Sequence, residues 1–142
     1  MQLTDAYDPQ NIFAKILRDE MPSLRIFEDE MTVAFMDIMP QAPGHVLVIP
    51  RAAATNVLTL SPNDARAVMT TTHLLAPAVQ KGMRAPGLML AQLNGSAAGQ
   101  SVPHFHMHII PRHNGLEMLG HGTQMADMDE LAEIATRIRA AI

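Results

Sequence analysis

Between His104 and Ile110 the chain reads HFHMHII, with imidazoles and apolar side chains in strict alternation. That period of two predicts a β-strand carrying His104, His106 and His108 on one face and Phe105, Met107 and Ile109 on the other. At ~3.3 Å per residue, neighbouring histidines stand ~6.6 Å apart and the outer pair ~13 Å apart. A zinc-bound imidazole nitrogen lies ~2.1 Å from its ion, so two of these histidines could share a metal but not all three. The plain alternative is a half-buried strand with surface histidines. The residues around the strand supply further parts of a site and favour the functional reading.

Upstream, NIFAKILRDEM sets Ile12, Phe13, Ile16 and Leu17 at helical spacing until Pro22 stops the pattern. Two alternating pieces, Leu24 to Phe27 and Thr32 to Met36, with Glu28, Asp29 and Glu30 between them, predict a β-hairpin. MPQAPG interrupts, and His45 to Pro50 resumes as a nearly continuous apolar strand. Ser61 as N-cap, Pro62 at the first turn and Asp64 open a long helix. Its buried stripe is expected to be Ala65, Val68, Met69, Thr72, Leu75, Ala76 and Val79, with His73 solvated and Pro77 kinking or ending the helix.

A strand over Gly87 to Asn94 then leads through the loop GSAAGQSVP into the histidines. Pro111 is expected to end that strand. The glycine-containing segment that follows holds His113 and His121, which carry weak signals, and is expected to be mobile. Asp127 and Glu130 suit the start of a C-terminal helix lined by Leu131, Ile134, Ile138 and Ile142. Five strands with one long helix between the third and fourth predict an α+β fold on an antiparallel sheet in a single domain, residues 1–142.

The net charge of -4 gives no general attraction to nucleic acid or anionic membrane. With no cysteine, disulfides, thiol chemistry and cysteine-ligated metals are excluded. No apolar run reaches the ~20 residues of a membrane span, and the N-terminus lacks the pattern of a signal peptide, so a cytoplasmic location is expected.

A neutral imidazole is a competent nucleophile near pH 7, and His106, flanked by two others, is the natural attacking group. The loop with Gly95 and Gly99 is expected to bring backbone N–H groups to an anion, with Asn94, Gln100 and Ser101 adding polar side chains. Asp37, beside Phe35, Met36 and Ile38, suits binding of sugar hydroxyls, with a turn aspartate as the alternative. His45, after Pro43 and Gly44, reads by itself as structural.

NIFAKIL, EDEMTVAFMDIMPQAPGHVLVIPR and NGSAAGQSVPHFHMHIIPR together resemble the histidine triad (HIT) family, whose signature is His-apolar-His-apolar-His-apolar-apolar. The similarity spans about residues 11–113, leaving a C-terminal extension with a helix over about 127–142. The resemblance implies a HIT-like five-stranded antiparallel sheet with two main helices plus that C-terminal helix, paired into a homodimer. It implies cleavage at the α-phosphate of purine nucleoside phosphoramidates or related conjugates through a nucleotidyl-histidine intermediate. His106 would be the nucleophile, His104 and His108 its positioning partners, and His45 the supporting upstream histidine. Asp37 would hold the ribose, and Ile12, Phe13, Phe35 and Ile38 would line the base pocket. Asn94, Gln100 and Ser101 would contact phosphate or leaving group. Asn11, Ala14 and Ala53 stand where zinc-bearing members place ligands, so neither metal nor other cofactor is expected. Pro111 and Arg112 depart from the phosphoramidase (Hint) branch. Dinucleoside polyphosphate hydrolysis, a nucleotide-binding regulatory role with incidental catalysis, and a two-histidine metal hydrolase are the alternatives.

Overall fold

In the computed structural model, which describes residues 1–142, five strands form one antiparallel sheet in the order β1-β2-β3-β5-β4. They are β1 (Arg25–Glu28), β2 (Thr32–Met36), β3 (Val46–Pro50), β4 (Gly87–Gln92) and β5 (Met107–Arg112). Around them run α1 (Ile12–Leu17), α2 (Pro62–Met83) and α3 (Met128–Ala140), with one 3-10 turn at Ser96–Ala98. No helix is long and apolar enough to cross a membrane.

Both faces of the sheet are covered, which explains why every residue of β2 and β3 is buried. Ala34, Met36, Val46, Val48 and Ile109 point to one side, against Val68, Leu75, Ala78 and Val79 of α2 and Leu131, Ile134, Ala135 and Ile138 of α3. The C-terminal helix packs into the main core, and Gly82 of α2 lets it approach so closely that a Cβ there would lie 3.2 Å from Ile138 Cα. On the other side Val33, Phe35, Leu47 and Ile49 pack against Phe13 and Ile16 of α1, and His108 pairs in register with Leu47. Burying a side chain such as Phe35 stabilises the fold by roughly 1.5–3 kcal/mol.

Ser61 caps α2 by accepting from Asp64 N–H, and Asp127 caps α3 by accepting from Asp129 and Glu130 N–H. The helix α2 does not stop at Pro77 but continues to Met83. Pro77 lies on the exposed side, where water can satisfy the carbonyl that a proline N–H cannot reach. Met69 and Ile142 fall outside the core, at 47% and 52% exposure, and Thr71 takes the inward place, hydrogen-bonded at 2.7 Å to Thr32 of β2.

The histidine strand is shorter than its alternation suggests. β5 begins only at Met107, because Phe105 N–H donates to Ala54 O and His104 N–H to Val102 O instead of to a neighbouring strand. At its far end β5 runs through Pro111 to Arg112. The last pair with β3 is Val46 with Ile109, so the missing N–H of Pro111 deprives no β3 residue of a partner. Segment 113–126 is irregular but anchored, with Leu119 N–H donating to Gln41 O at 2.8 Å and Ala126 N–H to Ile38 O at 2.9 Å.

Candidate active site

His45 and the three strand histidines, His104, His106 and His108, are all buried, none more than 3% exposed. Tyr7, and Phe13 of α1, pack against His104 and His106, so these imidazoles are not exposed on an open strand face. Phe13 stands perpendicular to the His106 ring at 5.0 Å and edge-on to His104 at 6.4 Å. The chain bends before β5, bringing the His106 and His108 rings to 4.9 Å, closer than the spacing along an extended strand.

The hydrogen bonds assign each ring its tautomer, since a carbonyl oxygen accepts and a backbone N–H donates. His104 donates from Nε2 to Pro50 O at 2.9 Å, leaving Nδ1 to accept from the Tyr7 hydroxyl at 2.7 Å. His104 O accepts in turn from His106 Nδ1–H at 2.7 Å, so His106 Nε2 carries a bare lone pair. In the second chain Gln41 N–H donates to His45 Nδ1 at 3.1 Å, and His45 Nε2–H donates to His108 Nδ1 at 2.8 Å. His108 Nε2–H is then a buried donor without a partner. The two relays thus present one acceptor, on His106, and one donor, on His108.

Burial holds all four rings neutral. It lowers His45 to about 3, His106 to about 4 and His108 to about 3, and lowers His104 as well, partly opposed there by the bond to Pro50 O. The carboxyl of Asp37 is raised by burial, partly offset by Met39 N–H donating to it at 2.8 Å. Asp37 Oδ2 lies 3.6 Å from His45 Nδ1, but that is no ion pair, because His45 is neutral and the separation exceeds hydrogen-bond reach.

A mostly apolar cavity of about 360 Å³ opens beside His106, within the range of small-molecule sites. Of the residues singled out in the sequence, Ile12, Phe13, Phe35, Asp37, Ile38, Ser101 and His106 line it. His45, His104 and His108 stand behind this lining.

Asn94 and Gln100 do not line the cavity. Asn94 Oδ1 accepts from Val57 N–H at 2.8 Å. Gln100 accepts from Gly95 N–H and donates to Thr55 O and Val102 O. Between Gly95 and Gln100 the loop also departs from the anion cradle expected of it. The N–H groups of Gly95, Ser96, Ala98, Gly99 and Gln100 are all bonded to other protein atoms. With Gly95 at φ +80° and Gly99 at φ +96°, it is a rigid frame that delivers Ser101 and the histidines.

Two residues of the site escape sequence reasoning. Tyr7 reaches His104 across 97 positions, and His121 lines the cavity with Nε2 2.6 Å from Ser101 Oγ and its ring 5.5 Å from that of His108. Neither sits in a periodic element, so only the tertiary contact identifies them.

Asp37, His45 and His108 offer ligand atoms within 4.8 Å of one another. The nitrogens of the pair that His45 and His108 form do not both fit one zinc ion as placed. His45 Nε2 and His108 Nδ1 are 2.8 Å apart in a direct hydrogen bond, closer than the roughly 3.3 Å between two ligand nitrogens of a tetrahedral ion. Asn11 meanwhile caps α1, accepting from Ala14 N–H at 2.9 Å.

The model of the HIT domain matches residues 18–115. The purine nucleoside phosphoramidase of Escherichia coli is 36% identical over 102 residues, covering 71% of this chain and 86% of its own. The adenosine 5'-monophosphoramidase of Saccharomyces cerevisiae is 32% identical over 138 residues, covering 95% and 84%. A Hit-like protein from Bartonella henselae superposes with a TM-score of 0.92 at 44% identity, covering 97% of this chain and all of that one. A zinc-bound histidine triad protein from Mycobacterium smegmatis superposes at 0.80 with 32% identity, over 93% and 92%.

Proposed function

The chain belongs to the HIT domain family, and from that premise we propose that it is a nucleotide hydrolase or transferase cleaving at the α-phosphate of purine nucleoside phosphoramidates. The observation that carries the reading is the pair of tautomer relays, which leave a bare Nε2 on His106 at the wall of a cavity that Asp37 also lines. The phosphoramidase names of the E. coli and yeast relatives support the substrate class.

In this proposal the base lies among Ile12, Phe13, Phe35 and Ile38, and the ribose hydroxyls meet Asp37. The α-phosphorus then faces His106 Nε2, with His108 and its unpaired Nε2–H standing behind it. Attack forms a nucleotidyl-histidine, which divides one displacement at phosphorus into two easier ones. Asn94 and Gln100 serve by bracing the loop that carries Ser101. No step calls on a metal.

Steady-state turnover of adenosine 5'-phosphoramidate, set against diadenosine polyphosphates after exhaustive chelation, tests this. Turnover faster on the phosphoramidate is expected. Preference for the polyphosphates would move the chain to the dinucleoside branch, binding without turnover would make it a binding protein, and loss on chelation would return the metal mechanism.

Asp37→Ala is expected to weaken ribonucleotide binding about 10-fold, the worth of one charge-assisted hydrogen bond, and to leave 2′,3′-dideoxy analogues nearly unaffected. Calorimetric titration with both checks this; equal losses would make Asp37 a turn residue. A homodimer, implied by the family resemblance, is part of the proposal. The free edge of β4 with exposed Leu90 is available for it, and sedimentation at twice 15.5 kDa is the expected result.

A further inference from the structure

His121 sits within the irregular segment whose two ends are tied to Gln41 and Ile38, so the segment folds back across the cavity mouth. Its Nε2 is 2.6 Å from Ser101 Oγ, while its Nδ1 is buried with no partner. His108 Nε2 is orphaned in the same way, and the two rings meet edge to face at 5.5 Å. His106, His121, Ser101 and Asp37 thus line one mostly apolar cavity, and the Ser101 hydroxyl and His121 are bonded to each other within it. Of the histidines on the lining, His121 is the one not engaged in the two histidine relays, and its pair with Ser101 has a proton to pass on.

We propose that His121, working through the Ser101 hydroxyl, supplies the proton to the leaving group; the proposal rests on the nucleotidyl transfer argued above. In the first step the bond between His106 Nε2 and phosphorus forms and the bond from phosphorus to the leaving nitrogen breaks. The departing nitrogen takes the Ser101 Oγ proton, and the imidazolium of His121 replaces it from Nε2. In the second step water forms its bond to phosphorus, the bond to His106 breaks, and a water proton returns through Ser101 to His121. Protons balance over the cycle, and the net reaction is addition of one water.

A proton is needed only by a leaving group that is a strong base, and that provides the test. For wild type, His121→Ala and His121→Gln, kcat/KM is measured on two derivatives of one nucleotide: an alkylamine phosphoramidate, and a 4-nitrophenyl ester whose phenolate departs without a proton. His121→Ala is expected to lose at least ~100-fold on the phosphoramidate and under ~5-fold on the nitrophenyl ester. His121→Gln, which keeps a contact to Ser101 but has no proton to give, is expected to behave like His121→Ala.

Equal losses on both substrates, or recovery of the phosphoramidate rate by His121→Gln, would overturn the proposal and reduce His121 to a positioning residue. Wild type turning over neither substrate would instead overturn the nucleotidyl-transfer reading, and this proposal with it. The two failures are thereby distinguishable.

Discussion

His106→Ala is expected to lower phosphoramidate turnover by at least ~10⁴-fold, because it removes the bare Nε2 proposed as the nucleophile at the cavity wall. The substitution also weakens the fold. The ring is only 3% exposed and packs perpendicular to Phe13, and its Nδ1–H is the partner of His104 O. Creating that space and orphaning a buried carbonyl together cost about 2–4 kcal/mol. A fall in Tm of roughly 10 °C is expected in a domain of this size, so rates are compared well below it. His106→Asn can retain a donor to the carbonyl. It is expected to recover part of the stability and none of the rate, which separates chemistry from packing.

Acid should unfold this protein steeply. His45 and His108, lowered to about 3, and His106, lowered to about 4, stay neutral in the native state while their counterparts in the unfolded chain take up protons near 6.5. Between these values the unfolded chain binds more protons, so stability is fully present above pH 6.5 and falls as the pH drops toward 4. Each such ring contributes a slope of up to ~1.4 kcal/mol per pH unit, and several kcal/mol are lost by pH 4.5. Asp37 opposes this in part. Its raised carboxyl pKa stabilises the protonated native state below the unfolded value of 3.8, a contribution lost as the pH rises through the raised value.

Urea midpoints at pH 7 and pH 4.5 measure the balance. A midpoint unchanged between them would mean that the four imidazoles are not the neutral, buried set described above. Since His106 protonates only near pH 4, the acid limb of the rate profile is expected to follow unfolding rather than titration of the nucleophile.

What could be read from the sequence was what is local. The Ser61 and Asp127 caps mark the starts of α2 and α3, and the unbroken apolar run of β3 reflects a strand covered on both faces. The histidine alternation located the site but overstated the strand, since it reports side-chain sequence and not where the N–H groups of His104 and Phe105 find acceptors. Pro111 misled for a related reason, because a proline ends a strand only where a neighbour needs its N–H. Glycine-rich composition suggested a cradle for an anion. Gln100, the carbonyl of Met1 and the loop's own carbonyls engage the amides of Gly95 to Gln100 instead, contacts that composition cannot encode. Tyr7 and His121 act through partners 97 and 20 positions away, distances at which no spacing rule operates.

The central claim is that His106 Nε2 forms a covalent bond to the α-phosphorus. Wild-type protein mixed with a radiolabelled adenosine phosphoramidate and quenched in alkaline denaturant, where a phosphorus–nitrogen bond survives, should yield one labelled peptide with adenosine monophosphate on His106. Label on His104 or His108, or steady turnover with no labelled peptide at any time point, would contradict it.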